Sequence, residues 1–136
     1  MNLKAIYCVD DDDVINKVLL FQISKFIEHE EIVVETCNHP KECVEMMKEN
    51  YRLGIEPLVC VVDFQMPEMR GDEFARIVKS LFPKIKIIML SGNSNAVLVS
   101  ELEEEGCLDF YITKPWEKDD LKDKLNLSLP LNLKFM

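Results

Sequence analysis

The chain alternates between two kinds of hydrophobic pattern. Short continuous apolar runs, typical of strands buried on both faces, are separated by stretches in which apolar residues recur every three or four positions, as in amphipathic helices. Because the two patterns alternate strictly, they predict an α/β fold in which helices cover both faces of a doubly wound, five-stranded parallel sheet. The predicted strands are Leu3 to Val9, Ile32 to Cys37, Leu58 to Val62, Ile85 to Leu90 and Phe110 to Ile112.

Five helices are predicted between and after these strands. The first three have apolar stripes that we expect to face the sheet: Ile15, Val18, Leu19, Ile23 and Phe26, then Val44, Met47 and Tyr51, then Phe74, Ile77, Val78 and Leu81. The fourth, near Asn95 to Glu105, is the weakest, because its acidic carboxyl end opposes the helix dipole. The last spans about Glu117 to Leu127, so residues 128–136 form an apolar C-terminal tail without a predicted place.

The composition is that of one globular domain with its own core. The 136 residues are 48% hydrophobic and 30% charged. A formal charge of −9 argues against direct binding of nucleic acid, because phosphates would be repelled. No apolar stretch approaches the length of a membrane span and the N-terminus lacks a secretory pattern, so we expect a cytoplasmic protein without membrane contact. The five cysteines show no metal-binding spacing and are interpreted as reduced core residues.

Polar residues stand at the carboxyl ends of four predicted strands: Asp10 to Asp13, Asp63, Ser91, and Lys114 with Pro115. Because such ends meet along one edge of a parallel sheet, we expect these side chains to lie together. The carboxylates of Asp10, Asp11 and Asp63 would repel one another by roughly a kcal/mol or more per pair, and a divalent cation would relieve this. Hard oxygen ligands on a partly open site favour Mg²⁺.

The order and spacing of these residues resemble the receiver domain of two-component response regulators. The stretch after the third strand, Asp63-Phe64-Gln65-Met66-Pro67-Glu68-Met69-Arg70-Gly71, is part of this similarity, which covers roughly residues 3 to 127. The resemblance implies a receiver domain over residues 1–127 with the flavodoxin-like strand order 2-1-3-4-5. It implies a signalling switch rather than an enzyme, with only weak self-catalysed phosphorylation and dephosphorylation.

The same resemblance implies a role for each polar residue of the edge. Asp63 would be the phosphoacceptor, and Mg²⁺ would be ligated by the side chains of Asp11 and Asp63 and the backbone carbonyl of Gln65, within an acidic site that includes Asp10. Lys114 and Ser91 would each contact a phosphoryl oxygen, and the Lys114–Pro115 bond would be cis. Ser91 and Tyr111 would form the switch pair, with output through the fourth helix, fifth strand and last helix. Gln65 and Asn93 would flank the path of attacking water.

Several classes of partner follow from this resemblance. The phosphoryl group would come from a histidine kinase, a phosphotransfer protein or a small phosphodonor, and a downstream protein would read the signal. A homodimer formed on phosphorylation is a further partner that the resemblance allows. His29 and His39 lack the pattern of a donor histidine and are interpreted as surface residues.

The same residues bear on several other functions. Taken singly, the acidic run is typical of a solvated loop, Asp63 of a helix cap, and the remaining positions of ordinary turns or ring packing. A phosphatase of the haloacid dehalogenase type needs an acid where Gln65 stands, and a flavin carrier would meet repulsion between its phosphate and the aspartates. Two alternatives stay open: a receiver-like binding module that acts without phosphorylation, and the N-terminal piece of a longer regulator with an enzymatic or DNA-binding output.

Overall fold

A computed structural model, which describes residues 2–92 and 96–135, contains five strands and five helices in strict alternation. The strands are β1 Lys4–Val9, β2 Ile32–Cys37, β3 Glu56–Asp63, β4 Lys86–Ser91 and β5 Phe110–Thr113. The helices are α1 Asp13–Phe26, α2 Pro40–Arg52, α3 Gly71–Leu81, α4 Ala96–Glu104 and α5 Lys118–Ser128. Each predicted element is therefore present, while Asn95, the predicted start of the fourth helix, lies outside the described residues.

All neighbouring strands run parallel in the order β2-β1-β3-β4-β5, which confirms the predicted fold class. The three inner strands are buried almost throughout, which explains their continuous apolar sequences. One face of the sheet packs against α1 and α5, and the other against α2, α3 and α4. None of the helices in the described part of the chain is both long and apolar enough to cross a bilayer.

Four of the residues predicted to face the sheet are instead substantially exposed: Val18, Tyr51, Ile77 and Leu81, at 38–58% of their full surface. Tyr51 and Leu81 lie in the last turns of α2 and α3, where Tyr51 packs edge-on against Phe82 with ring centroids 5.4 Å apart. Tyr51 therefore packs against the residue that ends α3. The predicted stripes were therefore wider than the buried faces.

The C-terminal tail packs into the core formed by α1 and α5. Leu129, Leu133 and Phe135 are buried, and the rings of Phe135 and Phe26 stack with centroids 6.0 Å apart. The side chain of Asn126 accepts a hydrogen bond from the Phe135 amide at 2.8 Å and donates one to the Phe135 carbonyl at 2.7 Å. The segment after α5 therefore has a fixed place beside the domain.

Candidate functional site

The four consecutive aspartates divide into two pairs with different surroundings. Asp12 is the N-cap of α1, where its side chain accepts a hydrogen bond from the Val14 amide, and Asp13 pairs with Lys17 one turn later at 3.0 Å. Asp10 follows β1 directly and is 1% exposed, whereas Asp11 is exposed at the mouth of the site. The solvated-loop interpretation therefore fits the second pair and fails for Asp10.

Asp63 and Lys114 meet across the sheet edge. Asp63 ends β3 and is 5% exposed, and its Oδ1 lies 2.8 Å from the Nζ of Lys114, which also reaches Asp10 Oδ2 at 3.0 Å. Lys114 follows β5 directly, its amide donates to the Ser91 carbonyl, and its bond to Pro115 is cis, as the resemblance implies. The lysine thus bridges two carboxylates that the ends of different strands bring together.

The loop after Asp63 closes tightly onto the strand end. The amide of Gly71 donates to the Phe64 carbonyl at 2.8 Å, and a Cβ at Gly71 would lie only 2.4 Å from the Asp63 carbonyl oxygen. Any larger residue would push the loop off the strand, so this position requires glycine. The Gln65 amide donates to the Asp63 carboxylate, while the Gln65 side chain is exposed.

Burial dominates the electrostatics of the two inner carboxylates. It raises the pKa of Asp63, which hydrogen bonding to Lys114 offsets only in part. Burial likewise raises the pKa of Asp10, against the opposing effect of the Asp12 amide and Lys114. Burial lowers the pKa of Lys114, but hydrogen bonds to Asp63 and Asp10 outweigh it and give a net increase. The lysine therefore stays charged between two carboxylates whose ionised forms are disfavoured by burial.

The donor set fits a hard divalent cation. Carboxylate oxygens of Asp10, Asp11 and Asp63 all lie within 4.8 Å of one another, and Asp11 leaves one side open to solvent. One lysine cannot neutralise three carboxylates, so negative charge remains to attract a cation. Oxygen ligands together with room for retained water are the environment that Mg²⁺ prefers.

The predicted switch residues converge on one carbonyl. Ser91 is 1% exposed at the end of β4 and donates through Oγ to the Gly92 carbonyl at 3.0 Å. The hydroxyl of Tyr111, from β5, donates to the same carbonyl at 3.1 Å. Ser91 and Tyr111 therefore share an acceptor at the start of the segment that leads to α4, whereas Asn93 lies outside the described residues.

Sequence reasoning missed Asn16, which supports the site from α1. This buried side chain donates through Nδ2 to the carbonyl of Asp10 at 2.9 Å, the carbonyl of Cys37 at 3.1 Å and Oδ1 of Asn38 at 2.7 Å. Its own Oδ1 is buried without a hydrogen-bond partner. Asn16 thus links the loops after β1 and β2. The one available signal was a polar residue on the buried side of a helix.

An ion-pair network that was also missed joins α3 to the end of α4. Asp72 is fully buried, and it is bonded by both Arg70, at 3.0 Å through two nitrogens, and Arg76 at 3.2 Å. Arg76 in turn donates to Glu105 at 2.7 and 3.2 Å. One of the acidic residues near the carboxyl end of α4 is therefore paired with an arginine.

Comparison with known proteins gives a consistent result. The model of the response regulator receiver domain family matches residues 6–126, which is most of the chain. The transcriptional regulatory protein LnrK of Bacillus subtilis is 28% identical over 118 residues, a match that covers 85% of this chain and 49% of that protein. The chain therefore spans about half the length of this curated relative.

Two solved structures share the fold over almost the whole chain. A response regulator receiver domain protein from Clostridium thermocellum is 25% identical with a TM-score of 0.80, and 93% of this chain and 94% of that chain are covered. A structure described as adenylate cyclase from Rhodopirellula baltica is 27% identical with a TM-score of 0.81, covering 93% and 87%.

Proposed function

Because the chain belongs to the response regulator receiver domain family, we propose that it is a phosphorylation-dependent switch whose phosphoacceptor is Asp63. A phosphorylation switch is the general role of this family, and its members are generally phosphoacceptors rather than enzymes. The observation that carries the assignment to Asp63 is its position: a nearly buried carboxylate at the end of the central strand, 2.8 Å from Lys114 and clustered with two further carboxylates.

The proposed reaction is attack of an Asp63 carboxylate oxygen on phosphorus. A phosphorus–oxygen bond forms, and the bond from phosphorus to the donor's nitrogen or oxygen breaks with its electron pair leaving on the donor. No proton is taken from the ionised carboxylate, so the requirement is alignment and neutralisation of charge. Lys114 supplies one positive charge from a position already in contact with Asp63, and the Ser91 hydroxyl is proposed to contact another phosphoryl oxygen.

Mg²⁺ is proposed as the metal of this site. The side chains of Asp11 and Asp63 and the backbone carbonyl of Gln65 would bind it, within an acidic pocket that Asp10 completes. The bound cation would supply further neutralisation of the phosphoryl oxygens. Of these residues, Asp11 is the exposed one and so the natural point of entry for a hydrated ion.

Output is proposed to pass through Ser91 and Tyr111 to the surface made by α4, β5 and α5. Both hydroxyls donate to the Gly92 carbonyl, so a turn of Ser91 toward the phosphoryl group would alter the hydrogen bonding that Tyr111 shares. The readout is then a shift between two populations, with a coupling free energy on the order of 1–3 kcal/mol. A downstream protein would bind one of the two states.

The proposed donors are a histidine kinase, a phosphotransfer protein or a small phosphodonor, and a homodimer formed on phosphorylation is a further proposed assembly. All five cysteines are free thiols, which fits the cytoplasmic location that we propose. Since the match covers 49% of LnrK, a longer regulator with a separate output domain stays an alternative, as does a binding module that acts without phosphorylation.

Beryllofluoride, which mimics a phosphoryl group on aspartate, tests the proposal directly. Fluorine NMR of the protein with Mg²⁺ and beryllofluoride should show a bound resonance that Asp63→Asn abolishes. Asp12→Asn is the matched control: it makes the same chemical change in the acidic run but retains a capping side chain for α1, so the resonance should persist. A wild-type protein that binds no beryllofluoride would favour the phosphorylation-independent module.

A further inference from the structure

Two cysteines on either side of the loop after β2 contact each other through their side chains. Cys37 is the last residue of β2, and Cys43 lies in the first turns of α2. The Cys43 thiol hydrogen-bonds the Cys37 sulfur, which also accepts a hydrogen bond from the His39 amide. Cys37 is half-buried and Cys43 fully buried, so one member of the pair is reachable from solvent and the other lies behind it.

The surroundings of Cys37 favour a reactive sulfur. Two donors point at it, and it lies close to the amino-terminal end of α2, where the helix dipole stabilises negative charge. Hydrogen bonding from Cys43 is also the main reason that the pKa of Cys37 is lowered. Cys43 has the opposite character, because its contact with Cys37 and its burial raise its pKa.

We propose that Cys37 and Cys43 form an oxidation site that a peroxide converts into an intramolecular disulfide. The Cys37 sulfur attacks one peroxide oxygen, the O–O bond breaks, and hydroxide or alkoxide leaves, giving a sulfenic acid on Cys37. The Cys43 thiol then attacks that sulfur, an S–S bond forms, and the sulfenic hydroxyl leaves with the Cys43 proton as water. The peroxide is reduced by two electrons and the two thiols are oxidised by two.

The other three cysteines lack this arrangement. Cys8 and Cys60 lie on strands β1 and β3, are wholly buried, and have pKa values raised by that burial. Cys107 is half-buried like Cys37, but its sulfur makes a weak hydrogen bond to the Glu105 carbonyl at 3.9 Å. Cys107 is therefore the matched control, a thiol of similar exposure without a thiol in contact.

Oxidation at this pair would reach the acidic pocket through one backbone carbonyl. The carbonyl of Cys37 accepts hydrogen bonds from the Asp10 amide at 3.2 Å and from Asn16 at 3.1 Å. A disulfide needs sulfur atoms about 2.05 Å apart, well inside a hydrogen-bond contact, so closing it draws Cys37 toward α2. In the oxidised protein we expect the hydrogen bond between the Asp10 amide and the Cys37 carbonyl to weaken, and Mg²⁺ to bind more weakly as a result.

Peptide mapping tests the oxidation site. Lys41 separates the two cysteines, so trypsin leaves them on different peptides that only a disulfide can join. Dilute wild-type protein treated with hydrogen peroxide and then unfolded for alkylation should lose two of its five free thiols and yield the linked pair, reversibly with dithiothreitol. Cys107→Ser should lose the same two thiols. Cys43→Ser should accumulate a sulfenic acid on Cys37 that dimedone traps.

Three results would overturn the oxidation site: thiol loss at the wild-type rate in Cys37→Ser, a linked pair that includes Cys107, or disulfides only between chains. Because Cys43 is buried and its variant could fold poorly, Cys37→Ser, which changes the half-buried residue, carries the decision. The link to the acidic pocket rests on the proposed function and has its own readout. Mg²⁺ should raise the melting temperature less in the oxidised than in the reduced protein, and equal shifts would refute the link alone.

Discussion

At the scale of single residues, the two aspartates Asp10 and Asp63 are buried in surroundings that disfavour their ionised form. Burial raises the pKa of Asp10 and Asp63 despite the contacts with Lys114. A carboxyl group whose pKa is higher in the folded than in the unfolded chain binds its proton more tightly when folded. Its ionisation therefore lowers the free energy of unfolding as the pH rises above the unfolded value of 3.8, and the loss is complete above the folded pKa.

This predicts that Asp63→Asn stabilises the protein at neutral pH without Mg²⁺. The free energy of unfolding should rise by on the order of 1 kcal/mol, because a buried carboxylate is replaced by a neutral amide and its repulsion of Asp11 is removed as well. The gain should disappear toward about pH 4, where the wild-type carboxylate is protonated. Urea unfolding across this pH range provides the measurement, with Asp12→Asn as the control outside the buried pocket. A variant no more stable than wild type at neutral pH would contradict the burial argument.

Asn16 carries a second prediction at this scale. Asn16→Ala removes an amide group whose two hydrogens are shared among three acceptors, and it should cost about 1–3 kcal/mol of unfolding free energy. Because the Asp10 carbonyl loses its side-chain donor, the stabilisation by Mg²⁺ should shrink as well, as measured by melting with and without the metal. The control is Asn38→Ala, which removes only one of the three acceptors from an exposed position. Full retention of the Mg²⁺ response in Asn16→Ala would show that other contacts suffice to hold Asp10.

The residues at strand ends could be predicted from sequence, whereas those that support them could not. Asp10, Asp63 and Lys114 each follow an apolar run, and the geometry of parallel sheets then brings them together. Asn16 lies on the buried side of α1, but the sequence does not show which loops it bonds. Pairs such as Asp72 with Arg70 and Arg76 leave no periodic pattern, since charged residues are common on any helix surface.

At the scale of secondary structure, α4 is less free than its sequence indicates. Glu103 and Glu104 are exposed at its carboxyl end, as the unfavourable dipole predicts, but Glu105 is bonded through two nitrogens of Arg76. Arg76 also contacts the buried Asp72, so α4 is fastened to α3. The sequence predicted that α4 would be only weakly stable. The ion pair that holds its end to α3 joins Arg76 and Glu105, which are 29 positions apart in the chain.

We therefore predict that Glu105→Gln loosens α4 while Glu104→Gln does not. Both variants remove one negative charge from the same helix end, but only the first removes the carboxylate that pairs with Arg76. Hydrogen exchange should become faster across residues 96–108 in Glu105→Gln alone. Addition of beryllofluoride to wild type should concentrate exchange changes between Ser91 and Lys114. Equal exchange in the two variants would mean that the Arg76 contact does not hold the helix.

At the scale of the whole molecule, the fold was predictable because its pattern is repeated five times. Alternating strands and helices determine a doubly wound sheet, and small errors at element ends do not alter the topology. The C-terminal tail is the exception: no periodicity marks Leu129, Leu133 and Phe135 as core residues, and their burial depends on the cleft between α1 and α5. The predicted stripes of α1 to α3 were too wide for a related reason, because apolar spacing alone does not show how much of a helix face the sheet covers.

The whole molecule also offers two chemically separate inputs that meet at Asp10. Phosphorylation is proposed to act through Asp63 and Lys114 on one side, and oxidation through the carbonyl of Cys37 on the other. Both depend on hydrogen bonds to Asp10, whose main-chain and side-chain oxygens accept from Asp12, Asn16 and Lys114. The loop after β1 is therefore the shared element of the two proposals.

Mass mapping of the phosphorylated protein tests the central claim most directly. The protein is incubated with Mg²⁺ and acetyl phosphate, and peptides are analysed quickly under acidic conditions that preserve an acyl phosphate. The account predicts one phosphoryl group per chain on Asp63, its absence without Mg²⁺ or in Asp63→Asn, and its persistence in Asp12→Asn. Stoichiometric labelling of Asp63→Asn, or a label that maps to Ser91, would contradict the account.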